Sequence, residues 1–316
     1  MHKQLVNHCT IALTIRPDGP ILIKSGKEGA DPTKPDMEFV ETYHQGSKSI
    51  YLPGSSLKGA IRAHAERIVR TVGSDRPTNS NKPWANDPLN DKRDYVKGDG
   101  PAIYRLSCFT DQLFGSTEIA SRIRIEDAYP VDPKQVKLEE RNGVAIDRVF
   151  GSVAVGPFNY QVCTAGEFTT KIHLKNFTLA QLGLIGLVLR DLDDGWFGLG
   201  FAKSRGLGTV TVQLNAATVH YPGCQLIDRR IVPIGQPAPI GQPKSWPHTA
   251  LLGAGEFLSE NPYGFPADDR DEQTPVGAKE MALGFGVQLT WQGPDQVPDL
   301  FRRAVKRWSA LLGVAA

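Results

Sequence analysis

The order of predicted elements in the first two thirds of the chain indicates an α+β fold of the ferredoxin-like type. Four segments alternate apolar and polar residues, which is typical of half-buried strands. Two segments place apolar residues at helical spacing, so they predict helices with one face in a core. In chain order these segments give strand, helix, strand, strand, helix and strand, which is the ferredoxin-like pattern.

Each element has its own local signal. A Pro-Gly turn and a serine pair precede the first helix, and Thr178 is placed to cap the second. The second helix is apolar on most sides, so it should be well buried. The predicted strands cover residues 9–15, 122–126, 167–175 and 209–214, and the predicted helices cover residues 56–72 and 179–192.

Two insertions interrupt the pattern, and a different composition follows it. Residues 74–101 are crowded with Asn, Asp, Pro, Lys and Gly, so they predict an inserted loop. Residues 130–160 mix Val, Phe and Tyr with Lys, Arg and glycine joints, which favours a projecting hairpin over core. We therefore predict one domain over residues 1–215 and a C-terminal extension over residues 216–316. The extension should hold a linker, an alternating strand (281–291) and an amphipathic helix (299–312).

Composition excludes several classes of protein. The net charge of +2 is nearly neutral, so any nucleic-acid surface must be local. The four cysteines are far apart without a CxxC pair, which argues against a zinc site and against a disulfide framework. No apolar run has the length of a membrane span, and no signal peptide is recognisable. We expect a cytoplasmic protein without a membrane partner.

Residues 51–62, YLPGSSLKGAIR, are the first candidate binding motif. Ser55 or Ser56 can cap the helix that begins here, because a serine hydroxyl accepts from the free N–H groups of a first turn. Lys58 and Arg62 lie four residues apart and so share a helix face. Free N–H groups, hydroxyls and two cations together predict a phosphate site.

Residues 195–208, GWFGLGFAKSRGLG, are the second candidate motif. Its five glycines allow close approach of backbone to a ligand, and Lys203, Ser204 and Arg205 add charge and a hydroxyl. The spacing fits neither the dinucleotide-binding fingerprint nor the Walker phosphate loop. Two separate clusters of this composition favour a protein that binds nucleic-acid backbone.

Three motifs in this order carry a family resemblance: PGSSLKGAIR at 53–62, Ile146-Asp147-Arg148, and GFAKSRGLG at 200–208. Together they resemble the RAMP superfamily, and more narrowly the repeated backbone subunits of type III CRISPR RNA-guided effector complexes. The resemblance covers about residues 8–214. It implies an RNA-recognition-motif palm and a thumb hairpin that inserts into a guide–target duplex. It also implies three kinds of partner, namely guide RNA (crRNA), target RNA and other effector subunits.

The resemblance also implies roles for individual residues. The serine-capped helix and the glycine-rich loop would hold guide phosphates, the thumb would begin near Arg148, and the segment from Phe150 onward would splay bases. The residues implied in guide-phosphate contacts are Ser55, Ser56, Lys58, Arg62, Lys203, Ser204 and Arg205.

A loop acid before the Pro-Gly-Ser motif is needed for target cutting in such subunits. Asp36 fits best, because an apolar pair, Phe39 and Val40, follows it as in the family, and Asp31 is the alternative. The resemblance implies attack by the ribose 2′-OH, assisted by a divalent metal at Asp36, either Mg²⁺ or Mn²⁺.

Two other functions stay open at this point. The chain could be a non-catalytic structural or capping subunit of the same complex. It could also be a guide-processing endoribonuclease, for which a histidine such as His44 or His64 should be essential. His64 lies within a predicted helix near its core edge, which is more typical of a structural histidine.

Overall fold

The structure is a computed structural model, and it describes residues 3–26, 35–77, 82–89, 96–235, 244–258 and 260–313. The helices are α1 (Gly54–Val72), α2 (Gly100–Leu106), α3 (Phe109–Phe114), α4 (Leu179–Asp193) and α5 (Gly293–Leu311). The strands are β1 (His8–Pro17), β2 (Glu41–His44), β3 (Ser47–Ile50), β4 (Ile123–Ile125), β5 (Tyr129–Pro130), β6 (Lys137–Ile146), β7 (Val153–Ala165), β8 (Phe168–Lys175), β9 (Val210–Tyr221), β10 (Cys224–Ile227), β11 (Arg230–Pro233), β12 (Trp246–Pro247), β13 (Leu251–Leu252), β14 (Arg270–Asp271), β15 (Lys279–Glu280) and β16 (Val287–Gln292).

A seven-stranded antiparallel sheet forms the centre of the molecule. Its order is β15-β16-β9-β1-β8-β4, and β5 also pairs with β8. Within it, β9-β1-β8-β4 together with α1 and α4 is the ferredoxin-like unit, so the predicted fold class is confirmed. The remaining strands form small sheets, among them the hairpins β2–β3 and β6–β7.

One face of this sheet builds the core with the helices. Cys9, Ile11, Leu13 and Ile15 alternate along β1 and are all buried, as the sequence pattern predicts. Helix α4 is buried along most of its length, and Thr178 closes a capping box with Gln181 at its start.

Across the described residues, no helix combines the length and the apolar character that a membrane span needs.

Parts of the C-terminal hundred residues join this same sheet and core. Strand β16 pairs with β9, and α5 packs against α4. The contact requires small residues, because a Cβ added to Gly186 would lie 2.6 Å from the Phe301 ring. The predicted domain boundary at residue 215 falls inside β9.

Two predicted C-terminal elements differ in extent. Helix α5 begins at Gly293, six residues before the predicted start, with Pro298 inside its N-terminal part. The alternating segment from residue 281 becomes a strand only at Val287. Its first half turns instead, because Leu283 adopts a φ of 70° and is fully exposed.

A buried carboxylate at the start of α4 makes stability depend on pH. Asp269 Oδ1 accepts from the backbone N–H of Leu179 at 3.0 Å, and burial raises the pKa of Asp269 to about 7. The raised pKa means that the folded protein binds the protonated form of Asp269 more favourably than the unfolded chain does. The stability that protonated Asp269 contributes is therefore fully present below about pH 4 and is lost as the pH rises towards 7.

Asp269→Asn is expected to remove this part of the pH dependence, because the amide mimics the protonated acid and keeps the acceptor for Leu179. At pH 8 the variant should be more stable than the wild type by on the order of 2–4 kcal/mol. Urea unfolding across a pH series measures this, with Asp268→Asn as the control, since the Asp268 side chain is 79% exposed. Parallel pH curves for wild type and Asp269→Asn would contradict the assignment.

Candidate nucleic-acid interface

The start of α1 is capped by a distant carboxylate. Pro53 occupies the cap position, and neither Ser55 nor Ser56 accepts a capping hydrogen bond, so the predicted serine cap is wrong. Asp127 replaces it, since its Oδ1 accepts from the Gly54 N–H at 2.7 Å. Within the described parts of the chain, the N–H groups of Ser55 and Ser56 have no acceptor, so two donors of the first turn stay available.

The two cations of this motif have different surroundings. Lys58 Nζ donates to Ser121 Oγ at 2.8 Å, and burial, together with the charge of Arg62, lowers the pKa of Lys58. Arg62 is more fully engaged, because all three guanidinium nitrogens donate to protein acceptors. Those acceptors are Glu66 Oε1 at 2.7 Å, the Gly115 carbonyl at 2.9 Å and Asp111 Oδ1 at 2.7 Å. The predicted phosphate contact of Arg62 would have to replace these bonds.

The glycines of the second motif approach the protein's own backbone. A Cβ on Gly200, whose φ is +78°, would lie 2.2 Å from the Leu22 carbonyl oxygen. A Cβ on Gly208, at φ +96°, would lie 2.3 Å from the Leu199 carbonyl oxygen. These glycines therefore fold the loop tightly onto neighbouring chain, which is a different role from the predicted approach to a ligand.

The tight loop presents its charged residues outward. Lys203, Ser204 and Arg205 form an exposed 3-10 turn that ends at Gly206 in the left-handed region. In the described structure none of the three side chains has an ion pair or a side-chain hydrogen bond. The Arg205 guanidinium lies over the Phe201 ring, 5.2 Å from its centroid, which restrains its direction.

Residues 20–24 connect the two motifs by backbone hydrogen bonds. On one side Phe201 N donates to the Leu22 carbonyl at 2.7 Å. On the other side Val40 N donates to the Ile23 carbonyl at 2.9 Å, and Tyr51 N donates to the Val40 carbonyl at 3.4 Å. Since Tyr51 leads directly into α1, residues 20–24 are bonded directly to the glycine-rich loop and, through Val40, to the start of α1.

A buried histidine also connects the same two motifs, from inside the core. The ring of His64, in α1, stacks on Phe197 of the glycine-rich loop at 4.3 Å between centroids. Its Nε2 lies 2.7 Å from Asp191 Oδ2, and both side chains are buried. His64 therefore sits in the core of this junction, in agreement with the structural role that its sequence position favours.

The hairpin β6–β7 projects beside these motifs. It is displaced a few residues from the predicted 130–160, and β6 alone is roughly 30 Å long. Asp147 Oδ1 accepts from the N–H groups of Val149 and Phe150 at 2.7 and 2.8 Å, so the tip turn is well held. Phe150 is 84% exposed at this tip. Arg148 also lies in the tip turn, whereas the resemblance implied a position at the base.

Asp36 lies against strand β7 of this hairpin. Its Oδ2 accepts from the Asn159 N–H at 2.9 Å, and Met37 N donates to the Asn159 carbonyl at 3.2 Å. Phe39 is buried and anchors the chain that follows. The carboxylate is exposed, about midway between base and tip. The alternative acid, Asp31, lies outside the described residues.

A single exposed carboxylate fits one type of metal binding. Mg²⁺ is commonly held by one or two carboxylates, with substrate phosphates and water completing its coordination. Asp36 Oδ1 could serve in that way with an RNA phosphate. Among the residues that the structure describes, no group of three or more His, Cys, Asp or Glu side chains could hold a metal ion by itself.

Comparison with known proteins places the chain in a family. A family model of the RAMP superfamily matches residues 14–211, which is well over half of the chain. No curated protein matches the chain significantly. At the family level this match supports an RNA-binding subunit associated with CRISPR complexes. The match begins in β1, ends in β9 and includes both candidate motifs and the hairpin, and the chain therefore belongs to the RAMP superfamily.

Proposed function

We propose that this protein is a guide-RNA-binding backbone subunit of a type III CRISPR ribonucleoprotein. The observation that carries the proposal is the junction of two donor-rich motifs on residues 20–24, beside an exposed hairpin. Family membership supports RNA as the ligand, and the motif order described above supports the type III backbone role.

The turn Lys203–Arg205 is the principal phosphate contact in this proposal. Its cations have no ion pair in the described structure, so binding a phosphate breaks no existing salt bridge. The N–H groups of Ser55 and Ser56 add donors at the positive end of α1. Lys58 can exchange its neutral Ser121 partner for a phosphate, whereas Arg62 holds α1 on α3.

The double variant Lys203→Ala/Arg205→Ala tests this contact. For single-stranded RNA the logarithm of the binding constant falls by about 0.7 per neutralised phosphate for each tenfold rise in salt. The double variant should therefore flatten the slope by about 1.4 and weaken binding to RNA of any sequence. Lys279→Ala/Arg302→Ala removes two exposed cations elsewhere and should leave the slope unchanged. An unchanged slope in the first variant would contradict the proposal.

We further propose that the subunit cuts bound target RNA and that Asp36 holds the metal ion needed for the cut. The support is the position of the carboxylate, which is exposed and fixed by the Asn159 N–H on the projecting hairpin. A bound Mg²⁺ or Mn²⁺ would stabilise negative charge on the phosphate. Asp36 Oδ1 would hold it, while the hairpin would orient the RNA so that a ribose 2′-OH is in line with the neighbouring phosphorus. The 2′ oxygen would bond to phosphorus as the P–O5′ bond breaks, and the 2′-OH proton would pass through solvent to the departing 5′ oxygen. The products would be a 2′,3′-cyclic phosphate and a 5′-hydroxyl.

A further inference from the structure

Three aromatic rings stack on the surface next to the start of α1. His44 ends β2, Tyr129 begins β5, and Tyr51 lies shortly before α1. The His44 and Tyr129 rings are 3.7 Å apart between centroids and within 6° of parallel. Tyr51 continues the stack, 5.9 Å from Tyr129 and 17° from its plane. All three side chains are partly exposed, and none belongs to the hydrophobic core.

A shared carboxylate links this ring stack to the start of α1. Asp127 accepts from the Gly54 N–H through Oδ1 and from the Tyr129 hydroxyl through Oδ2, the latter at 3.3 Å. The free N–H groups of Ser55 and Ser56 follow directly on Gly54. The N–H groups that can donate to an anion therefore lie on one side of the Asp127 side chain, and the aromatic rings lie on the other.

We propose that the ring stack, His44–Tyr129–Tyr51, is a platform on which one unpaired nucleobase of the bound RNA stacks. A nucleotide offers the matching pair of groups, because it carries an anionic phosphate next to a planar base. Stacking on aromatic side chains tolerates any base, since every base has a π-face. The ring planes are already parallel in the protein, so little ordering is needed on binding. The inference rests on the proposed function and adds the base contact to it.

Neighbouring residues provide matched variants. His44 lies in the exposed hairpin β2–β3, so His44→Ala removes the outer ring with little effect on the core. Tyr43→Ala removes a ring that is 78% exposed and outside the stack, and it serves as the control.

The experiment is a cycle between protein variants and RNAs that lack one base. The full-length protein is titrated with a single-stranded oligoadenylate and with versions of it that carry an abasic residue at each position in turn. His44→Ala should weaken binding of the intact RNA by about tenfold. At one abasic position, the wild type should bind the abasic RNA more weakly than the intact RNA by a similar factor. His44→Ala should bind these two RNAs equally well. Tyr43→Ala should bind like the wild type.

The outcomes separate this inference from the proposed function. Lys203→Ala/Arg205→Ala should weaken all the RNAs equally, whether or not a base is missing. If that holds while His44→Ala binds intact RNA as the wild type does, the platform is wrong and RNA binding stands. The platform would also be wrong if, at every abasic position, the loss of affinity caused by His44→Ala simply added to the loss caused by the missing base. Absence of RNA binding by the wild type would overturn both.

Discussion

Asp36→Asn should abolish metal-dependent cutting of target RNA while the binding of guide and target stays near the wild-type level. The amide can still accept from the Asn159 N–H, so the loop keeps its place on the hairpin. It no longer carries the charge that holds a divalent cation, and we expect a loss of rate on the order of a hundredfold or more. The assay is cleavage of labelled target RNA with Mg²⁺ or Mn²⁺, with and without a chelator.

Other acids and one histidine provide the controls for this result. Glu140→Gln removes a carboxylate from the same hairpin and should cut normally. Asp31→Asn should have a smaller effect than Asp36→Asn. His64→Ala should reduce stability before chemistry, because it removes the buried partner of Asp191. Full cutting by Asp36→Asn would favour a non-catalytic role for this acid. Cutting that survives the chelator would favour a metal-free nuclease.

Arg62→Ala should lower the free energy of unfolding by about 3 kcal/mol, because it removes one ion pair of a buried carboxylate. Asp111 has a side chain that is only 3% exposed, and Arg62 NH2 donates to it at 2.7 Å. The same change removes the donor to the Gly115 carbonyl at the end of α3. Urea unfolding followed by circular dichroism measures the loss.

A matched variant on the same helix shows whether the loss of stability comes from removing any cation of α1 or from the particular contacts of Arg62. Arg67 is exposed on α1, so Arg67→Ala should change the free energy of unfolding by less than about 0.5 kcal/mol. RNA binding is measured in parallel for both variants. Unchanged stability of Arg62→Ala together with weaker RNA binding would restore Arg62 as a phosphate ligand.

The parts of this fold that the sequence predicts well are those with local signals. Alternation places β1 and β8 within a residue or two, and the capping Thr178 marks the start of α4. Periodicity and capping act over a few residues, so they can be recognised without knowledge of the tertiary structure. The charged turn Lys203–Arg205 is found in the same way.

The parts that the sequence does not predict depend on distant partners. Asp127 caps α1 from 73 positions away, and Asp111 pairs with Arg62 across 49 positions. A serine pair after Pro-Gly is a strong capping signal, yet a carboxylate brought in by β4 takes its place. Similarly, the glycines at 200 and 208 are needed for contact with backbone that only the folded chain brings near. Local patterns contain no trace of such contacts.

The way in which β16 and α5 complete the sheet has a practical consequence for fragments of this protein. A fragment trimmed to the matched residues, 14–211, would begin within β1, end within β9 and lack both later elements. Removing β16 alone already leaves the hydrogen-bonding edge of β9 open, where other chains can add as strands and aggregate. The surface of α4 around Gly186 would lose its cover of Phe301 and become an apolar patch in water. Fragments intended for biochemical work should therefore keep all of β1 and extend through the end of α5.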